Sequence, residues 1–232
     1  MRPTEGPSAD DVIATLRRMG DPSHLTGMRR FGIETDRALG ISVTELRGVA
    51  RTLGRDHELA GALWRSGIHE ARMLASMVDE PDRVTPRQME SWIGGVGSWD
   101  LCDGLCGNLF DRTPHWHDKA AAWSGRDAEF TKRGGFALMA WGAVHRKDEP
   151  DERFERFLPL IEEQAGDERN YVKKAVSWAL RQIGKRSVRL HPGAVATAHR
   201  ILERHDRTAR WIARDALREL EGAAVVDRMR RS

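Results

Sequence analysis

Along nearly the whole chain, apolar residues recur at helical spacing, and the strict alternation that strands need is scarce. Chain breakers interrupt the pattern at short intervals: Gly20-Asp21-Pro22, Gly40, Gly54, Gly67, Pro81, Pro86, Gly94-Gly95, Gly97, Pro114, Gly125, Pro150, Gly166, Gly184 and Pro192-Gly193. The segments between them run to roughly 10 to 18 residues, an ordinary helix length. Several segments open with helix-entry chemistry. Ser8 precedes Asp10 and Asp11, Ser42 stands three residues before Glu45, and Thr85 precedes a proline. The pattern predicts an all-α chain of about a dozen short helices joined by tight turns. Consecutive short helices without strands suggest pairs stacked as an α-α solenoid, with a compact helical bundle as the alternative. No strict repeat period emerges. No linker or low-complexity stretch divides the chain, so residues 1–232 are expected to form one domain, with residues 1–8 a flexible lead-in.

Two predicted helices carry chemistry on the side away from their packing stripe. In Asn170 to Arg186, Val172, Val176, Ala179 and Ile183 form an apolar stripe. Lys174, Trp178, Arg181 and Lys185 follow the same spacing two positions on, about 200° round the helix. One face packs and the other offers an indole among cations, as a nucleic-acid surface needs: cations for phosphates, a flat ring for a sugar or base. A solvated charged face is the plainer reading of the same cations. In Ser98 to Phe110, Leu101, Leu105 and Leu109 are core positions, while Trp99 and Asp103 share another side. A third stretch, Phe130-Thr131-Lys132-Arg133-Gly134-Gly135, sets two cations before two small residues at a predicted helix start.

Charge sharpens this picture through its distribution rather than its sum. The net charge of the 232 residues is only +3. Yet residues 147 to 168 hold nine acids and three bases, and residues 169 to 189 hold seven bases and no acid. Such a block is expected to face phosphates. No apolar run approaches the roughly 18 residues of a membrane span, so the expectation is a cytoplasmic protein. Cys102 and Cys106 are read as reduced, partly buried small hydrophobes. His115 and His117 would point apart on a helix, so no metal or cofactor is called for. His69 is expected to make a hydrogen-bonded core contact, and Glu70 and Arg72 structural ion pairs.

Taken in order, Ser98-Trp99-Asp100-Leu101-Cys102-Asp103, Lys132-Arg133 and Tyr171 to Arg181 resemble the AlkD family of DNA alkylation repair glycosylases. The stretch Leu63 to Arg72 resembles that family's first third, and the likeness spans roughly residues 10 to 220. The resemblance implies HEAT-like helical repeats forming a curved solenoid with a concave basic groove. It also implies removal of cationic N3- and N7-alkylated purines from double-stranded DNA by a monomeric, monofunctional, nucleoid-associated glycosylase. By the same resemblance Asp103 is the catalytic carboxylate, Trp99 and Trp178 contact the deoxyribose, and Arg133 holds a phosphate. Lys132, Lys173, Lys174, Arg181, Lys185 and Arg186 are the expected further DNA-binding residues. Two competing expectations are a non-catalytic protein binding damaged or branched DNA, and a protein–protein scaffold.

Overall fold

The computed structural model describes residues 6–231, and all regular structure among them is helical. Residues 1–5 of the expected lead-in lie outside the described residues. Ser8, at its end, is ordered: its hydroxyl accepts from the Asp11 amide while the Asp11 carboxylate takes the Ser8 amide. The chain divides into two compact units, Met1–Leu109 and Phe110–Ser232.

The first unit holds α1 (Ala9–Met19), α2 (Ser23–Arg30), α3 (Val43–Leu53), α4 (His57–Arg65), α5 (His69–Val78), α6 (Pro86–Gly94) and α7 (Trp99–Asn108). The starts of α1, α3 and α6 are those the sequence marks. Ser42 and Glu45 close a capping box on α3, and Thr85 caps α6 with Pro86 at its first position. Leu46, Leu63, Leu74, Met89, Leu101 and Leu105 supply the core. Glu70 corrects an expectation. Instead of an ion pair, its buried carboxylate accepts the backbone amides of Leu39 and Gly40 at 2.8 Å, and that of Ile41 at 3.4 Å. A buried carboxyl group is tolerable because amides satisfy its oxygens. The segment can turn beneath it because Gly40 has φ +81°, a conformation that side chains disfavour.

The second unit holds α8 (Trp116–Ser124), α9 (Glu129–His145), α10 (Asp151–Glu155), α11 (Phe157–Glu163), α12 (Asn170–Arg186), α13 (Leu190–Leu202), α14 (Arg207–Leu220) and α15 (Ala223–Arg231). Its core is built on Trp116, Trp123, Phe136, Phe154 and Phe157 with the stripe Val172, Val176, Ala179 and Ile183. Gly135 has a definite job. A Cβ there would lie 2.6 Å from the Ser124 amide nitrogen, so only glycine lets α9 approach the end of α8 this closely.

The repeat that the sequence hides is visible as a register. Ser177 of α12 donates to Asp215 of α14, and Arg181 donates to Glu219, both across 38 residues. The same offset twice along two helices means that they run in the same direction. Arg133 of α9 reaches the Tyr171 carbonyl of α12, again across 38 residues. Within this unit α9, α12 and α14 are therefore successive equivalents, each preceded by a returning partner.

Candidate nucleic-acid interface

In the first unit α7 carries Trp99 and Asp103 one turn apart, both half-buried, while Leu101, Cys102, Leu105 and Cys106 on its other sides are core. The cysteines are free thiols within that core. Trp99 is fixed by its indole N–H, which donates to the Phe31 carbonyl at 2.9 Å. A Cβ at Gly104, next to Asp103, would meet the flexible end of the Met73 side chain of α5. At the start of α7 the Ser98 hydroxyl donates to Asp100 at 2.6 Å, and Asp100 meets the His69 ring nitrogen Nε2 at 2.9 Å. Burial works against both charges. The His69 and Ser98 hydrogen bonds nonetheless hold the Asp100 carboxyl below its usual range, and the same partner raises His69. His69 is thus the hydrogen-bonded contact the sequence suggests. Arg72 departs from expectation: its guanidinium lies 4.9 Å from the Trp64 ring, which stacks on Trp92. It donates to the Gly95 carbonyl at 2.9 Å. His69, Arg72, Arg37 and Glu34 line a hollow of about 270 Å³ beside Leu101.

In the second unit Trp178 is half-buried, on the side of α12 opposite the packed stripe. Trp141 of α9 meets it edge-on, ring centres 5.4 Å apart. Trp141 in turn stacks on His145 at 4.8 Å, and His145 Nδ1 lies 2.5 Å from Asp111. Burial pushes the Asp111 carboxyl up, against the pull of His145. Trp178 therefore stands in a braced aromatic row. Trp141 and His145 escape a sequence reading because their partner lies one repeat away.

Most of the expected DNA-binding cations are placed otherwise. Lys132 is 8% exposed and donates to Gln164 at 2.8 Å and Asp167 at 3.1 Å. Arg133 is 6% exposed and gives a 2.6 Å hydrogen bond to the Tyr171 carbonyl, tying α9 to the first turn of α12 rather than facing solvent. Arg181 pairs with Glu219 and Asp215, and Lys185 with Glu219. Arg186 is sealed beneath the surface. It bonds Asp151 and the carbonyls of Ala143 and Glu149, and lies flat on Phe154 at 4.0 Å. For Lys132, Arg181, Lys185 and Arg186 the physical reason is shared: the acidic run before α12 or the acids of α14 lie within reach; Arg133 is instead taken up by a backbone carbonyl. Only Lys173 and Lys174 keep the expected character. Lys174 is exposed, and Lys173 sits 5.3 Å from the Trp211 ring; neither has a carboxylate partner among the described residues.

The second unit also presents a basic face that the sequence reading passes over. On α14, Arg207, Arg210, Trp211, Arg214 and Arg218 are all exposed. Its acids, Asp215 and Glu219, turn toward α12. Among the described residues Arg207, Arg210 and Arg214 make no ion pair, while Arg218 pairs with Asp215.

Among the described residues no helix is long and apolar enough to cross a membrane. Among solved structures, the chain is similar to a protein from "a new family of proteins related to the HEAT-like repeat DNA glycosylases with affinity for branched DNA structures". The identity is 18% and the TM-score 0.77, over 92% of this chain and 96% of that one. The all-helical architecture is thus that of the HEAT-like repeat proteins. No curated protein matches. The family described as "DNA alkylation repair enzyme" matches residues 12–220. Spanning nearly the whole of both units, that match places the chain in the DNA alkylation repair enzyme family.

Proposed function

We propose that this protein is a monofunctional DNA glycosylase that hydrolyses the N-glycosidic bond of N3- or N7-alkylated purines in double-stranded DNA, as a monomer acting on the nucleoid. The observation that carries the proposal is the placement of Asp103. It is a half-buried carboxylate one helical turn from an anchored tryptophan, on a helix whose other sides are core. An alkylated purine already bears positive charge, so it departs with the C1′–N bond pair without a general acid. Positive charge then develops on the sugar. A fixed carboxylate stabilises it, and orients the water whose oxygen joins C1′ and whose proton is lost to the carboxylate or solvent. Indole faces favour the same developing cation; Trp99 offers one a helical turn from Asp103, and Trp178 offers one in the second unit. Arg133 is a positioning residue in this account: it fixes the N-terminal turn of the helix that bears Trp178.

The test is a duplex with a single N7-methylguanine and an assay of free base. Wild type is expected to release the base, and Asp103→Asn to be slower by a factor on the order of 100 or more, the usual loss when a charge-stabilising group is removed. Trp178→Ala is expected to fall less far. Equal release by Asp103→Asn would remove that carboxylate from the mechanism. A second reading, binding of branched DNA without chemistry, is favoured by the description of the structural neighbour. Tight binding with no release by wild type would select it.

A further inference from the structure

The exposed side of α14 holds more unpaired positive charge than any of the residues expected to bind DNA. At 100° per residue, Arg207, Arg210, Trp211, Arg214 and Arg218 fall within an arc of roughly 100°. Ala209, Ile212, Ala213, Ala216, Leu217 and Leu220 fill the opposite side and are buried. Asp215 and Glu219 lie at one border, engaged by Ser177, Arg181 and Lys185 of α12. Arg207, Arg210 and Arg214 therefore face solvent unpaired among the described residues, while Arg218 at the border meets Asp215. Trp211, 40% exposed, stands in the middle of the stripe. In front of it is a shallow hollow of about 450 Å³, lined by the four arginines, Trp211 and Asp215. Lys173 leans on the Trp211 ring, and exposed Lys174 comes next to it on α12.

We infer that this stripe is a second nucleic-acid site, which grips a DNA strand by its phosphates and stacks one of its unpaired bases on Trp211. The inference rests on the reading of the chain as a DNA-acting protein, not on the chemistry of Asp103. From Arg207 to Arg218 the helix rises about 16 Å, the length of about five nucleotide steps along one strand. Phosphates alone would need only cations. A large flat ring, 40% exposed at the centre of a cationic stripe, adds a surface on which a base can stack, and bases in an intact duplex do not offer their faces. The ligand is therefore a strand that has left the duplex, as at a fork or junction arm, rather than the duplex itself.

The test uses the full chain and two probes of equal length, a blunt duplex and a fork with a single-stranded arm. Affinity is measured by anisotropy across a range of salt. Arg207→Gln, Arg210→Gln and Arg214→Gln together should lower the slope of log K against log salt on the fork by about 2, at about 0.7 per phosphate on a single strand. Trp211→Leu, which keeps apolar bulk and removes the flat ring, should cut the fork-over-duplex preference about tenfold, within the range for one stacked base. Trp211→Phe should restore part of that preference. Thermal unfolding of each variant guards against a folding defect. An unchanged salt slope in the triple variant overturns the inference, and the stripe then serves another partner such as an acidic protein. A fork preference indifferent to Trp211→Leu overturns it too. Base release from the N7-methylguanine duplex is read separately: its absence in wild type ends the glycosylase proposal and leaves the salt slope untouched.

Discussion

Along α12, Arg181 and Lys185 end on Asp215 and Glu219, and Arg186 ends on Asp151. Along α14, Arg207, Arg210 and Arg214 end on no carboxylate among the described residues and face outward. Both helices mix cations with a tryptophan above an apolar stripe. They differ in the neighbour that each one meets. Behind the cations of α12 comes another helix, in register and 38 residues on, that brings acids to meet them. Among the described residues α14 is followed by the short α15, which brings no acid to Arg207, Arg210 or Arg214 and whose Arg228 reaches back to the Lys185 carbonyl. In a stacked array, then, a basic face becomes a phosphate face only where the next repeat does not neutralise it. Ion pairs between repeats fix geometry; cations left unpaired are available to DNA.

The largest effect should come from the most enclosed α12 cation. Arg186→Ala leaves Asp151 and two carbonyls without their donor and strips Phe154 of its cover, and should cost about 3 kcal/mol in thermal or denaturant unfolding. A loss below about 1 kcal/mol, the range of an exposed pair, would mean that Arg186 is not structural, and would weaken the contrast with α14.

Asp167 gives the next. Hydrogen bonds from Arg169 above all, and from Lys132, push its carboxyl down to about 2 from 3.8, against burial. A depressed carboxyl stabilises the fold above its unfolded value and loses that contribution as pH falls through the folded one. Wild type should therefore exceed Asp167→Asn by about 2 kcal/mol at pH 6, and the gap should close between about pH 4 and pH 2. A gap that does not change with pH would show that Lys132 is not held by an ionised partner.

A smaller and more pointed effect is expected from Glu219→Gln. Burial opposes the Glu219 charge, yet Lys185 and Arg181 hold its carboxyl below the usual range. Removing the charge should cost about 1 kcal/mol of stability, as for a partly exposed pair. It should also release Lys185, while Arg181 keeps Asp215, and so steepen the salt dependence of DNA binding by up to about 0.9. An unchanged slope would mean that α12 cannot be recruited to the phosphate surface even when unpaired.

How far the sequence reveals this molecule depends on the reach of each interaction. Ser8, Ser42 and Thr85 act three residues away, so the starts of α1, α3 and α6 are legible. The stripe from Val172 to Ile183 repeats within one helix, so the limits of α12 and the outward side of Trp178 are legible as well. The partners of Lys132, Arg181, Lys185 and Arg186 lie 34 to 38 residues off in most cases, at a spacing fixed by packing alone. A basic run next to an acidic run looks like a phosphate surface until the fold closes one on the other. The α14 stripe is hidden for the opposite reason. Asp215 and Glu219 make its segment read as a mixed-charge helix, and only the register shows them turned toward α12. Trp141 and His145 stay hidden because the row that braces Trp178 is assembled across repeats.

The most direct measurement removes the same charge from each helix and asks which removal DNA notices. Arg181→Gln with Lys185→Gln, and Arg210→Gln with Arg214→Gln, each delete two positive charges. Binding to the fork with a single-stranded arm should be measured from low to moderate salt. The α14 pair should lower the slope of log K against log salt by about 1.4, at about 0.7 per phosphate on a single strand, while the α12 pair should leave it near wild type and lower the melting temperature instead. A larger loss of slope from the α12 pair would contradict the account.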